Sequence, residues 1–219
     1  MNNVTPMIKQ YLEVKEKYPD AILFYRMGDF YEMFFEDAKI ASEILDIALT
    51  SRDKSKEDSV PLCGVPYHAA SGYIQKLVDR GFKVAICEQM EDASQAKGLV
   101  RREVIRIVTP GMVLEDDFLK PKANNFLMAI SLGEERFGLA TLDASTGDFL
   151  AAEVNTVQSL LDEVMRIEPK EIILPEPAKG QAPIRHLMKT FPGALYSPLP
   201  PDVFDGDRSQ ERLKTFGEG

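Results

Sequence analysis

Apolar and polar positions change period several times along the chain, and each change marks an element. Thr5-Pro6 offers a hydroxyl cap with proline at the first helical position. Ile8, Tyr11, Leu12 and Val14 then form a rough apolar face that reaches Tyr18 before Pro19 stops the helix. AILFYRM (21–27) and FYEMF (30–34) are runs of strand formers on either side of Gly28-Asp29, which predicts a hairpin. From Glu36 the spacing becomes helical, with Ala38, Ala41, Ile44, Leu45 and Ala48 along one side. Ser71 is placed to cap a further helix through Ile74, Leu77 and Val78, ended by Gly81. FKVAICEQM (82–90) and REVIRIV (102–108) are predicted strands separated by a polar loop.

Thr109-Pro110-Gly111 and the acidic, proline-containing EDDFLKPK (115–122) predict a boundary, giving domains 1–115 and 116–219. Beyond it three strands follow closely: 126–132, 137–145 and 148–154, joined at Gly133-Glu134-Glu135 and Thr146-Gly147. A helix capped by Thr156 carries Val157, Leu160, Leu161, Val164 and Met165 on its apolar face. EIILP (171–175) is a short apolar strand, IRHLMKTF (184–191) a helix, and SPLPPDVFDG (197–206) an exposed loop. RSQERLKTF begins a helix in which the chain stops, so the second domain is expected to be cut short at its C-terminus. A strand meander followed by α-β-α predicts a mixed sheet with helices on its faces, in the α/β class taken broadly to include α+β. No internal repeat is present.

Composition narrows the function. The 219 residues suffice for one large or two small cores, and 44% hydrophobic with 28% charged is ordinary for a globular chain. No apolar run approaches the roughly 20 residues of a membrane helix, and MNNVTPMIKQYLEV lacks the pattern of a secretory signal. Cys63 and Cys87 lie in no metal-binding spacing; they are most simply buried thiols, with a disulfide left open. The net charge of −9 argues against a protein that holds DNA by phosphate neutralisation alone. Residues 1–115 are nearly balanced at −3 and residues 116–219 carry −6, so any nucleic-acid contact belongs in front. No GxxxxGK[ST] phosphate loop occurs.

FYEMF holds the one unusual surface pattern. Alternation in a strand puts Phe30 and Glu32 on one face, Tyr31 and Met33 on the other. Spacing alone leaves two readings open: Phe30 in the core beside a solvated Glu32, the commoner use of a strand aromatic, or an exposed ring paired with a carboxylate.

FYRMGDFYEMFFEDA (24–38), PLCGVPYHA (61–69), VAICEQM (84–90) and REVIRIVTPG (102–111), in that order and spacing, closely resemble the start of the MutS family of DNA mismatch repair. FGLATLDASTGDF (137–149) resembles that family's connector domain. The resemblance implies a mixed-sheet mismatch-binding domain followed by a ribonuclease H-like connector. It identifies Phe30-Tyr31-Glu32 as the family's Phe-x-Glu mismatch motif, with both key residues intact. It implies binding to mismatched or unpaired bases in double-stranded DNA through a Phe30 wedge and a Glu32 base contact, with Arg52 on the DNA backbone. It further implies a MutL-type partner docking on the connector, a homodimeric full-length protein, and a bacterial cytoplasmic, nucleoid-associated location. In the full-length family ATP and Mg belong to a DNA-dependent ATPase region beyond this chain, so no cofactor, metal or catalytic residue is expected here.

Deformability gives the motif its physical sense. A wedge that unstacks a base step costs a few kcal/mol in well-stacked DNA, and less where pairing is already lost. A carboxylate facing DNA is repelled by phosphates, yet beside a displaced base it can accept from a ring N–H, or carry a proton and donate. The Pro66-Tyr67-His68 turn is expected to be structural, with His68 near the cap of the following helix and direct DNA contact left open. Asp143 sits where a ribonuclease H-type nuclease would bind metal, with Asp148 and Glu153 on the next strand; a metal-dependent nuclease is therefore the alternative function. The competing expectation is that Asp143 bonds turn amides near Ser145-Thr146-Gly147.

Overall fold

The computed structural model describes residues 5–51, 60–91, 98–112, 125–134 and 136–216. Backbone proximity divides the chain into two compact units, one running to Pro110 and one beginning at Gly111.

The first unit opens with helix α1 (Pro6–Lys17), where Thr5 Oγ1 accepts from the Ile8 amide at 3.4 Å. The hairpin follows, β1 (Ala21–Met27) and β2 (Phe30–Phe34), turned by Gly28-Asp29 with Gly28 at φ +58°. A positive φ at the first of two loop residues is what a primed hairpin turn requires, and glycine meets it without strain. Helix α2 (Phe35–Leu45) starts with no loop after β2. Phe35 takes that corner at φ +54°, a left-handed conformation that costs a non-glycine residue on the order of 1–2 kcal/mol. Its ring packs on Tyr11, centroid to centroid 6.1 Å. The helix ends on Asp46 in the left-handed region, so Ala48, predicted on its apolar side, lies beyond it.

Strands β3 (Thr50–Ser51) and β4 (Pro61–Pro66), helix α3 (Ala70–Asp79), β5 (Lys83–Gln89) and β6 (Arg102–Val108) complete the unit. Among the described residues the sheet runs β3-β4-β2-β1-β5-β6, with β1 and β5 parallel and the other neighbours antiparallel. Alternation divides its side chains. Leu23, Tyr25, Phe34, Ala85 and Cys87 meet Met7, Ile8 and Tyr11 of α1. Phe24, Met33, Cys63 and Val65 are buried on the opposite face, where the Cys63 thiol donates to the Ala38 carbonyl of α2. Asp37 ties α2 to the first face's helix, accepting from Lys15 Nζ at 2.9 Å, the Leu23 amide at 3.0 Å and the Tyr11 hydroxyl at 3.1 Å.

Two further expectations fail here. Ser71 makes no cap: α3 begins one residue earlier, after a single 3-10 turn (Tyr67–Ala69) that already sets the chain's direction. Leu12, placed on the apolar side of α1, is exposed because the sheet meets only the stripe through Met7, Ile8 and Tyr11.

The second unit is β7 (Phe126–Leu132), β8 (Phe137–Asp143), β9 (Phe149–Val154), α4 (Val157–Ile167), β10 (Glu171–Pro175), α5 (Ala182–Thr190), β11 (Leu195–Leu199) and α6 (Gly206–Phe216). Its sheet order, β11-β10-β7-β8-β9, is an antiparallel meander extended by two parallel strands, the ribonuclease H-like arrangement. Thr156 caps α4 as expected, accepting from the Ser159 amide at 3.0 Å. Met165, assigned to that helix's apolar face, points to solvent; Leu160, Leu161 and Val164 meet the core. Residues 197–199, read as exposed loop, belong to β11. Ser197 is buried and donates to Glu171 at 2.6 Å, and an edge strand tolerates Pro198. No helix among the described residues is long and apolar enough to cross a membrane.

Candidate nucleic-acid interface

Burial falls along β2 toward the hairpin loop. Phe34 and Met33 are sealed, Glu32 is half-buried, and Phe30 is 46% exposed. Register places Met27 opposite Phe30 and Tyr25 opposite Glu32 across β1, and Pro66 and Gly64 opposite the same two residues across β4. Phe30 and Glu32 therefore share the sheet face that α1 covers farther in, and Tyr31 and Met33 turn away. Of the two readings of Phe30, the buried one is excluded.

Gly64 gives Glu32 its room. A Cβ at that position would stand 3.2 Å from the Tyr31 carbonyl oxygen and 3.5 Å from Glu32 Cγ, so the carboxylate's stem lies along bare backbone. The loop is held from the side opposite Phe30. Arg26 stacks 3.6 Å over the Tyr67 ring, pairs with Glu88 at 3.5 Å and donates to the Gly28 carbonyl. The Tyr31 hydroxyl donates to the same Glu88. Burial pushes the Tyr31 phenol up to about 12, with Glu88 adding to the shift, so it stays a hydrogen-bond donor at neutral pH. The Tyr67 amide donates to the Asp29 carbonyl at 3.0 Å, fastening the loop to the turn before α3. His68 lies in that turn, exposed, edge-on to Tyr67 with centroids 5.8 Å apart. Arg52 falls outside the described residues.

Sequence reasoning placed Tyr67 in a structural turn but did not find β4, Arg26 or Glu88. The lone Gly64 inside PLCGVP was a usable signal, since an isolated strand glycine marks a close backbone approach. Arg26 and Glu88 look like ordinary strand residues until their neighbours are known.

In the second unit Asp143 is buried and committed. Its Oδ1 accepts from the Ser145 hydroxyl at 2.6 Å, the Ser145 amide at 2.9 Å and the Asn125 amide at 3.3 Å. Burial works to raise its carboxyl, but these donors outweigh it and hold the group below the ordinary carboxylate value. Among the described residues no group of three or more His, Cys, Asp and Glu is placed to hold a metal ion, so the geometry gives the nuclease alternative no support. Cys63 and Cys87 are both free and buried, and burial pushes each thiol up to about 12.

Known proteins match along nearly the whole chain. The family model for MutS domain I matches residues 5–117, and that for MutS domain II matches residues 125–216. The chain is 53% identical over 215 residues to the DNA mismatch repair protein MutS of Syntrophobacter fumaroxidans, covering 97% of this chain and 24% of that protein. It is 51% identical over 210 residues to the MutS of Desulfatibacillum aliphaticivorans, with 96% and 24% covered. Against the MutS of Staphylococcus aureus it is 44% identical over 213 residues, with 97% and 24% covered. The chain thus spans about a quarter of the length of these relatives.

Proposed function

Since this chain belongs to the MutS family, we propose that its first unit detects mismatched or unpaired bases in duplex DNA by inserting Phe30 from the minor groove, as the first step of mismatch repair. The observation that carries this is the exposed Phe30 ring at the end of a hairpin whose inner aromatic, Phe34, is sealed. An exposed ring at a strand end, fixed by pairing on both flanks, is shaped to stack on a base. Base–aromatic stacking returns about 1–3 kcal/mol. Unstacking an intact step costs a few kcal/mol, so insertion breaks even or loses in matched duplex. At a defect part of that cost has already been met, and insertion wins.

Glu32 supplies the second half of the discrimination. Half-buried beside the ring, it repels phosphates when the hairpin meets intact duplex. Next to a displaced base it accepts a ring N–H, or takes up a proton and donates. Arg52 is proposed as a backbone contact. The second unit is proposed as a connector that docks a MutL-type repair partner, with its net negative charge keeping it off the phosphates. ATP, Mg and the homodimer contacts are assigned to regions of the full-length family outside this chain, and the setting to the bacterial cytoplasm beside the nucleoid.

The test is equilibrium binding by a full-length MutS protein carrying this sequence to duplexes with one G·T pair and to matched duplex, at one salt concentration. Phe30→Ala is expected to lower the ratio of the two affinities by roughly 5- to 150-fold, the loss of about 1–3 kcal/mol of stacking. An unchanged ratio would mean that Phe30 does not read the defect.

A further inference from the structure

Arg102, on β6, is only 8% exposed, and its guanidinium reaches the loop end of β1 in the Phe30 hairpin. Nε donates to the Arg26 carbonyl at 2.7 Å, and Nη1 to Gln10 Oε1 and the Val100 carbonyl, both at 3.0 Å. Nη2 reaches Met27 Sδ at 3.5 Å, and Cζ stands 4.9 Å from the centre of the Tyr25 ring. One side chain thus touches Tyr25, Arg26 and Met27, whose partners across the hairpin are Glu32, Tyr31 and Phe30. Gln10 of α1 closes the bracket: its Oε1 also accepts from the Tyr25 hydroxyl, and its Nε2 donates to the Val100 carbonyl at 3.1 Å.

A buried guanidinium is a costly way to fill space, because removing it from water is repaid only by good hydrogen bonds, and an apolar side chain of like size often stabilises as well. A planar fork offers what an apolar chain lacks: several directional bonds to fixed points of neighbouring strands. Those points here are the last residues of β1 before the loop. A wedge must not yield. If the strand end tilts or frays when the ring meets a base step, part of the stacking gain goes into reordering the hairpin.

We propose that Arg102, assisted by Gln10, is a positioning residue for mismatch reading: it holds the end of β1 so that Phe30 enters the stack from a fixed hairpin. This rests on the wedge function proposed above for Phe30.

The experiment compares wild type, Arg102→Met, Arg102→Lys, Phe30→Ala and the Arg102→Met/Phe30→Ala double variant of a full-length MutS protein carrying this sequence. Binding is measured to a duplex with one unpaired thymine and to matched duplex. Methionine keeps the volume; lysine keeps the charge and loses the fork. Both single Arg102 variants are expected to cut the mismatch-to-matched ratio by about tenfold while matched-duplex affinity stays within twofold. In the Phe30→Ala background Arg102→Met is expected to change the ratio no further. An equal loss with and without Phe30, or full rescue by lysine, would overturn the proposal, since a general folding defect or simple charge attraction behaves that way. A wild-type ratio in both Arg102 variants beside a collapsed one in Phe30→Ala would overturn the bracket alone. A wild-type ratio in Phe30→Ala would instead overturn the wedge. Should the methionine variant fail to fold, Gln10→Leu takes its place, with amide hydrogen exchange at Arg26–Tyr31 expected to accelerate and an unchanged rate counting against the proposal.

Discussion

Phe30 and Phe34 stand on one face of one strand, four residues apart, yet one is half in water and the other sealed. The difference is reach. Tyr11 of α1 meets Phe34 at 4.9 Å between ring centres, and no described ring contact reaches Phe30. Glu32, between them, is the residue proposed to repel intact duplex. Glu32→Gln removes the charge and keeps the shape, so it is expected to raise matched-duplex affinity several-fold and narrow discrimination, most clearly at low salt where phosphate repulsion is least screened. A titration of both duplexes at two salt concentrations checks this; equal affinities for wild type and variant would remove repulsion from Glu32's role. That Phe30 and Glu32 share a face was legible in FYEMF, because a period of two decides it. Phe30's exposure was not, because it depends on how far along the sheet a separate helix extends. Arg102 was illegible for a related reason. A strand arginine ordinarily faces water, and only the assembled sheet shows carbonyls waiting for it.

At the scale of elements, the strands with clean alternation or unbroken apolar runs were readable, whereas β4 and β11, which carry proline at their start or interior, were not. Pro61 and Pro66 bracket β4, and Pro198 interrupts β11; both strands form because neighbouring strands supply the pairing that local propensity does not. The β8–β9 turn shows an element held by one side chain. Asp143's carboxyl lies below its ordinary value in the folded unit, so its contribution to stability is complete above the unfolded-state value near 4 and is lost as pH falls through the folded one. Asp143→Asn, which trades charge-assisted bonds for neutral ones, is expected to cost about 1–2 kcal/mol at pH 7. The gap between variant and wild type should shrink as pH falls below about 4. Urea unfolding at neutral and acid pH reads this directly; a gap that is constant with pH would mean that the ionised form is not what the turn holds.

For the whole molecule, charge and architecture agree. A net charge of −9 and an exposed ring at a hairpin end fit the proposed reading of base stacking better than a grip on phosphates. Relatives about four times as long have ample further chain to supply that grip, so discrimination and affinity are expected to separate by region. Entry of the ring into the stack is most directly measured with 2-aminopurine placed beside a single unpaired thymine, its fluorescence followed as a full-length MutS protein carrying this sequence binds. Unstacking is expected to brighten the probe at the defect, with no change in matched duplex and none with Phe30→Ala at saturating protein. The same brightening from the alanine variant would contradict the account, because the base would then be leaving its stack without the ring.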